Sequence, residues 1–222
     1  RRTRPAPARP DPADLGRIAE IFRRFQVREP EPMTELFYGT PYTLLVAVAL
    51  SAQATDVSVN KATGPLFAVA DTPQAMLDLG EERLKGYIKT IGLYNAKARN
   101  VMALSERLVR EFGGTVPRDR AVLETLPGVG KKTAAVVVNT LHGEHAIAVD
   151  THVFRVSNRM PIAVGATPDQ VEAGLLAVVP TDYVRHAHHW LILHGRYTCV
   201  ARKPLCATCL VADLCGWPDK TA

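Results

Sequence analysis

Residues 123–152 read LETLPGVGKKTAAVVVNTLHGEHAIAVDTH and place a tight glycine turn between two apolar segments. Gly128 and Gly130 can adopt backbone angles that a Cβ forbids, and they let another backbone approach closely. A helix that begins just after them directs its first N–H groups and the positive end of its dipole outward, an arrangement that binds phosphate. The turn alone fits an ordinary joint between two helices equally well, with Lys131 and Lys132 simply solvated.

The four cysteines of the chain all lie near its C-terminus, at Cys199, Cys206, Cys209 and Cys215. Since there is no cysteine elsewhere and no secretion signal, a ligand set is a better interpretation than a disulfide framework. Only Cys206 and Cys209 have the short spacing of a zinc knuckle, and all four thiolates fall on one compact loop. The spacing favours an iron–sulfur cluster, with zinc and four free thiols as alternatives.

The composition is that of a soluble globular protein, with 47% hydrophobic and 22% charged residues. The 222 residues allow one large domain or two small ones. The apolar run near residues 44–50 is too short to span a membrane, and no signal peptide opens the chain. A net charge of +5 favours a polyanionic partner.

The periodicity of apolar residues indicates a mostly helical chain. Thr72-Pro73 and the Thr167–Gln170 capping box are helix N-terminal signals, and they predict that helices begin at residues 73 and 168. We predict helices over 13–25, 41–61, 73–79, 81–90, 95–112, 118–126, 131–141, 168–179 and 181–194. The β-branched runs at 135–138 and 146–156 leave a small hairpin of strands open. Residues 1–12, rich in Arg, Pro and Ala, are interpreted as a disordered basic tail.

Five motifs together closely resemble the endonuclease III family of helix–hairpin–helix DNA glycosylases. In chain order they are LSAQATDVSVNKAT at 50–63, YIKTIGLYNAKA at 87–98, LPGVGKKTA at 126–134, VDTHVFRVSNR at 149–159 and HGRYTC at 194–199. The resemblance covers residues 13–216, nearly all of the chain except the tail.

The resemblance implies an all-α fold of two helical domains with a DNA cleft between them. A six-helix domain with the helix–hairpin–helix would span 34–144. An iron–sulfur cluster domain would combine 13–33 with 145–222. In this fold the 146–156 segment becomes a loop that enters a helix, which overrules the strand alternative.

The resemblance also implies the site residues. Lys132 would be the nucleophile and Asp150 the catalytic carboxylate, which is also placed to cap a helix that begins at Thr151. Gln53 would enter the DNA stack and Leu93 would wedge it open. The hairpin would contact phosphate through Gly128, Val129, Gly130, Lys131 and Thr133. Lys131 stands where the family usually has arginine, so the charge is kept but a bidentate fork is lost. Cys199, Cys206, Cys209 and Cys215 would hold a 4Fe–4S cluster.

The implied activity is that of a bifunctional DNA glycosylase and AP lyase in base excision repair, which removes oxidised pyrimidines through a lysine Schiff base and β-elimination. The alternatives are a relative with a shifted lesion range, such as pyrimidine dimers or mismatches, and a noncatalytic iron–sulfur DNA-binding protein. The expected partner is double-stranded DNA with damaged pyrimidines or abasic sites, and no membrane. We expect a monomer that is cytoplasmic and associated with the nucleoid.

Overall fold

The computed structural model describes residues 12–143 and 146–221. Within these ranges the chain forms eleven α-helices and no β-strand. None of the helices in this part of the chain is long and apolar enough to cross a membrane. The predicted all-α fold is therefore confirmed. The predicted basic tail lies outside the described residues except for Pro12, where the first helix begins.

The helices are α1 (Pro12–Arg28), α2 (Pro41–Leu50), α3 (Asp56–Phe67), α4 (Pro73–Leu79), α5 (Glu81–Ile88), α6 (Tyr94–Phe112), α7 (Arg120–Glu124), α8 (Lys131–His142), α9 (Thr151–Arg159), α10 (Pro168–Val178) and α11 (Thr181–Tyr197). Two short 3-10 turns follow at Cys206–Thr208 and Ala212–Leu214.

The chain divides into two compact units. The first, Met33–Ala148, contains α2 to α8 and is called the hairpin unit. The second comprises Arg1–Pro32 and Val149–Ala222 and is called the cysteine unit. Its described residues contain α1, α9, α10, α11 and the four cysteines.

Helix α2 is covered on every side within the hairpin unit. Residues 44–47 are fully buried, and α2 packs against α3, α6 and α8. A helix without a solvent-facing stripe needs no polar face, which explains why its sequence, TLLVAVAL, is not amphipathic. Helix α6 is amphipathic and buries Val101, Leu104 and Leu108 along one stripe.

The core of the cysteine unit joins helices from two distant parts of the sequence. Helix α1 packs against α11 and buries Ile18, Ile21 and Phe22. Helix α9 approaches α11 so closely that a Cβ on Gly195 would lie 2.9 Å from the Cβ of His152. Only glycine at position 195 permits this contact.

Three local predictions differ from the structure. The helix predicted over 41–61 is two helices, because residues 51–55 break it with Gln53 in the left-handed region at φ 57°. The strand alternative at 135–138 is wrong, since these residues belong to α8 and lie in the core. Thr167 does cap α10, but the side chain of Gln170 accepts from Ala166 N–H, so the capping box is not closed.

Candidate functional site

The glycine turn, residues 126–130, joins α7 to α8 in the hairpin unit. Val129 N–H donates to the Leu126 carbonyl at 3.1 Å, and Gly128 adopts a φ of 75°. A Cβ at position 128 would lie 2.9 Å from the Cβ of Asn100 on α6, so the turn tolerates only glycine there. The backbone of the hairpin is thus held tightly against α6.

Helix α8 begins directly at the turn. Gly130 is its N-cap and has no side chain with which to cap the first-turn N–H groups, so the positive end of the helix dipole favours an anion at this point. Lys131 and Lys132 lie exposed on the first turn, whereas the predicted DNA-contacting residues Val129 and Thr133 are buried in the core. An anion at this helix end would therefore meet main-chain N–H groups of the first turn of α8 and the side chains of Lys131 and Lys132.

Asp150, in the cysteine unit, caps α9. One of its carboxylate oxygens accepts the N–H groups of His152 and Val153, both at 2.8 Å. The predicted cap is confirmed by this geometry. A carboxylate in this position is stabilised by the helix dipole.

Gln53 and Leu93 share an unusual backbone conformation. Both adopt left-handed angles, with φ 57° and φ 60°, and both side chains are exposed, Leu93 to 66%. Such angles cost about 1 kcal/mol or more for residues with a Cβ, so they persist only where the surrounding structure imposes them. An exposed leucine held in this way is not a core residue.

The four cysteines line one cavity in the cysteine unit, together with Arg159, His194 and Trp217. All four are free thiols. Among the described residues, no three Cys, His, Asp or Glu side chains are grouped closely enough to hold a single metal ion. Four thiols that line one cavity are a donor set that suits an iron–sulfur cluster.

Hydrogen bonds surround the sulfur atoms. The Arg159 guanidinium donates to Cys199 Sγ at 3.6 Å and to the Val200 carbonyl at 2.8 Å, and it stacks on Trp217. His194 Nε2 lies 3.8 Å from Cys209 Sγ. Burial raises the pKa of the Cys199 and Cys209 thiols, so a metal that binds them must displace their protons.

Two arginines of α1 hold the cysteine loop from outside. Arg24 makes a bidentate ion pair with Asp213 at 2.7 and 2.8 Å, and Arg17 donates to the carbonyls of Met160, Pro161 and Leu214. The sequence gives little sign of these roles, because both arginines lie on what reads as the polar face of an amphipathic helix.

Lys97 is the other residue that sequence reasoning missed. Its Nζ donates to the carbonyls of Leu50 and Ala52, and only 8% of the residue is exposed. A signal was present, since Lys97 lies in register with Val101, Leu104 and Leu108 on the buried stripe of α6.

Comparisons with known proteins agree with this geometry. Residues 46–181 match the HhH-GPD superfamily of base excision DNA repair proteins, and residues 199–215 match the iron-sulfur binding domain of endonuclease III. Endonuclease III of Escherichia coli strain K12 is 58% identical over 201 residues, which are 90% of this chain and 95% of that protein.

Solved structures of DNA glycosylases are also similar to this chain. A trapped covalent intermediate of endonuclease III with DNA has a TM-score of 0.84 and 41% identity, covering 91% of this chain and 95% of that one. A thermostable thymine-DNA glycosylase has a TM-score of 0.81 and 25% identity, covering 92% and 96%.

The superfamily match contains the glycine turn, Lys132 and Asp150 in one span, so the fold and site define a helix–hairpin–helix DNA glycosylase. Within this class, the iron–sulfur match and the high identity to the Escherichia coli protein identify the family. The chain belongs to the endonuclease III family of DNA glycosylases with AP lyase activity, and its cofactor is a 4Fe–4S cluster.

Proposed function

We propose that this protein removes oxidised pyrimidines from duplex DNA and then cleaves the strand at the resulting abasic site. The observation that carries the proposal is the exposed Lys132 on the first turn of α8, directly after a glycine turn suited to phosphate. A similar protein, endonuclease III, has been trapped as a covalent intermediate with DNA.

Base removal breaks the bond between C1′ and the base nitrogen through a sugar with oxocarbenium character. We assign Asp150, as a carboxylate, to stabilise this positive charge and then to receive the proton that the Lys132 nitrogen loses as it attacks. Lys132 Nζ then bonds to C1′, and the base leaves with the electrons of the broken bond.

Strand cleavage follows from the covalent amine. Opening of the sugar ring gives a Schiff base between Lys132 and C1′. Loss of a proton from C2′ and departure of the 3′ oxygen then break the strand by β-elimination. Water finally hydrolyses the Schiff base and returns Lys132 to its free form.

The target base must leave the duplex before it can react, at a cost of a few kcal/mol. We assign the exposed Leu93 to wedge the stack and the exposed Gln53 to fill the gap. The glycine turn and Lys131 would anchor a backbone phosphate without reading sequence. Lesion choice would then follow from the ease of eversion and the fit of the everted base.

Cys199, Cys206, Cys209 and Cys215 would hold the cluster, because they line one cavity as free thiols. When bound, the cluster supplies iron–thiolate bonds that cross-link the loop between residues 199 and 215. Arg159 would orient Cys199 and offset its thiolate charge through the bond already present.

Borohydride reduction of the Schiff base tests the nucleophile. The wild-type protein is expected to form a stable cross-link with damaged duplex DNA, and Lys132→Gln is expected to form none. Lys131→Gln is the matched control, which should weaken DNA binding but still cross-link at saturating DNA. Cross-linking by Lys132→Gln at the wild-type level would overturn the assignment.

A panel of duplexes tests the substrate. Oxidised pyrimidines should be released faster than mismatched thymine, since the identity to endonuclease III exceeds that to the thymine-DNA glycosylase. Preferential release of mismatched thymine or of pyrimidine dimers would replace the proposed substrate, and DNA binding without release of any base would leave only a noncatalytic role. A monomeric state and association with the nucleoid stay predictions.

A further inference from the structure

Helix α6 carries contacts to three separate loops on one face. Leu93, Lys97 and Asn100 follow one another at spacings of four and three residues, which places them on the same side of the helix. Leu93 enters α6 in its left-handed conformation, and Asn100 meets the glycine turn at Gly128. Lys97, between them, faces the loop that follows α2.

Lys97 is bonded to both exposed left-handed turns. Its main-chain N–H donates to the Leu93 carbonyl at 3.0 Å. Its Nζ donates to the Leu50 carbonyl at 2.9 Å and to the Ala52 carbonyl at 2.7 Å. Leu50 ends α2 and Ala52 immediately precedes Gln53, so one residue connects the backbone at Leu93 to the backbone beside Gln53.

The bonds of Lys97 are also placed to maintain the conformation of Gln53. The turn at residues 51–54 closes through Ala54 N–H and the Ser51 carbonyl at 3.0 Å, with Gln53 left-handed inside it. Left to itself, a glutamine favours the right-handed region by about 1 kcal/mol. A buried ammonium that fixes the Ala52 carbonyl also neutralises the negative end of the α2 dipole, so it stabilises both the helix end and the turn.

Lys97 is largely shielded from solvent. The residue is 8% exposed and lines a narrow cleft with Leu50, Asn100 and Gly128. An ammonium in solution can replace a protein acceptor by water. A buried ammonium binds its protein acceptors more strongly, because little water is present to compete for them.

We propose that Lys97 is a positioning residue for base eversion, which holds the Gln53 turn and the Leu93 turn as one rigid unit before DNA is bound. The proposal rests on the proposed function, in which Gln53 and Leu93 enter the duplex. Lys97 itself touches neither the DNA nor the reacting sugar. It acts through the backbone of the two turns.

The first test is a double-mutant cycle of Lys97→Met with Gln53→Ala, read as single-turnover release of an oxidised pyrimidine. Lys97→Met alone should slow release about 10- to 100-fold, the loss expected when an inserting group is misplaced. In the Gln53→Ala background the same change should slow release less than about twofold, because the group that Lys97 positions is already gone. Equal losses in both backgrounds would overturn the proposal and leave a general structural role.

The second test measures insertion without chemistry. A 2-aminopurine opposite a stable abasic analogue should become fluorescent when the wild-type protein binds, and Lys97→Met should lose most of this signal while it still binds the duplex. Lys85→Met is the matched control, since Lys85 pairs on the surface of α5 with Glu81 and Glu82 and should leave both readouts unchanged. A full fluorescence signal from Lys97→Met would contradict the proposal.

Misfolding of the variant and failure of the proposed function can each be distinguished from failure of this proposal. Should Lys97→Met not fold, as judged by circular dichroism, Lys97→Gln, whose side chain is shorter and uncharged, replaces it in both tests. Should the wild-type protein release no base, the proposed function fails, and the 2-aminopurine signal still decides whether Lys97 governs insertion.

Discussion

The carboxylate of Asp150 accepts the main-chain N–H of Val153 at 2.8 Å and so closes the first turn of α9. The same oxygen accepts the N–H of His152. This side chain therefore has a structural role in addition to its proposed role in stabilising a cationic sugar. Substitutions at 150 can separate the two.

Asp150→Asn should keep the cap and lose the charge. Asparagine caps helices about as well as aspartate, so we expect a loss of less than about 1 kcal/mol in the free energy of unfolding. Base release should slow by about 100- to 1000-fold, while the Kd for damaged duplex changes far less. Asp150→Ala is the comparison, since it should lose a further 1 kcal/mol or so of stability. Equal losses in binding and turnover for Asp150→Asn would argue against a transition-state role.

Gly128→Ala should destabilise the hairpin unit. A Cβ at this position would lie 2.9 Å from the Cβ of Asn100, and the φ of 75° disfavours any residue except glycine. We expect a loss of about 2 kcal/mol or more, measured by urea unfolding, together with weaker DNA binding. Gly86→Ala is the control, because Gly86 is exposed within α5 with nothing near its Cβ position, and the change should stabilise by about 0.5 kcal/mol. Destabilisation of both variants to the same extent would contradict this account.

His189 should make the protein sensitive to acid. Burial, together with the nearby His188 and His186, lowers its pKa from 6.5 to about 3, and within the described part of the chain neither ring nitrogen has a hydrogen-bond partner. The unfolded chain binds the proton more tightly than the folded one, so stability is full above pH 6.5 and falls as the pH drops toward 3. Between pH 7 and pH 5 this group alone should remove about 2 kcal/mol.

His189→Leu should reduce that loss, as measured by urea midpoints at pH 7 and pH 5. The substitution replaces a buried polar ring by an apolar side chain of comparable size, so it should not destabilise the protein at pH 7 by more than about 1.5 kcal/mol. An unchanged pH dependence in His189→Leu would assign the acid sensitivity to other groups.

The purified protein should contain about four iron and four sulfide per chain, with no zinc. Cys199→Ser should lose the brown chromophore and most of the iron, because Cys199 is one of only four cysteines available. Met160 lines the same cavity but has no ligand atom suited to the cluster. The control variant Met160→Leu should therefore keep the full iron content. Stoichiometric zinc in the wild-type protein would exclude the cluster.

Local sequence signals predicted much of the fold. Thr72-Pro73 and Gly80 bound α4 as expected, and Asp150 caps α9, because caps depend on residues within one turn of each other. The glycine turn was found for the same reason. Its need for glycine at 128, however, comes from Asn100, and no local pattern shows that contact.

Long-range contacts explain what the sequence could not show. Residues 51–55 contain neither proline nor glycine, so nothing local predicts the end of α2 at Leu50. Lys97, which lies far along the chain, donates to the Leu50 and Ala52 carbonyls at this break. Likewise the valines at 136–138 favour a strand by propensity. They are helical in the structure, where they lie on the buried side of α8.

The order of the two units along the chain has a consequence for synthesis on the ribosome. Helix α1 emerges well before α11, the helix that covers Ile18, Ile21 and Phe22. The whole of Met33–Ala148 is made in between as one continuous stretch and can fold while translation continues. During that interval the apolar face of α1 is without its native cover, and this nascent segment is where we expect chaperone binding and aggregation to concentrate.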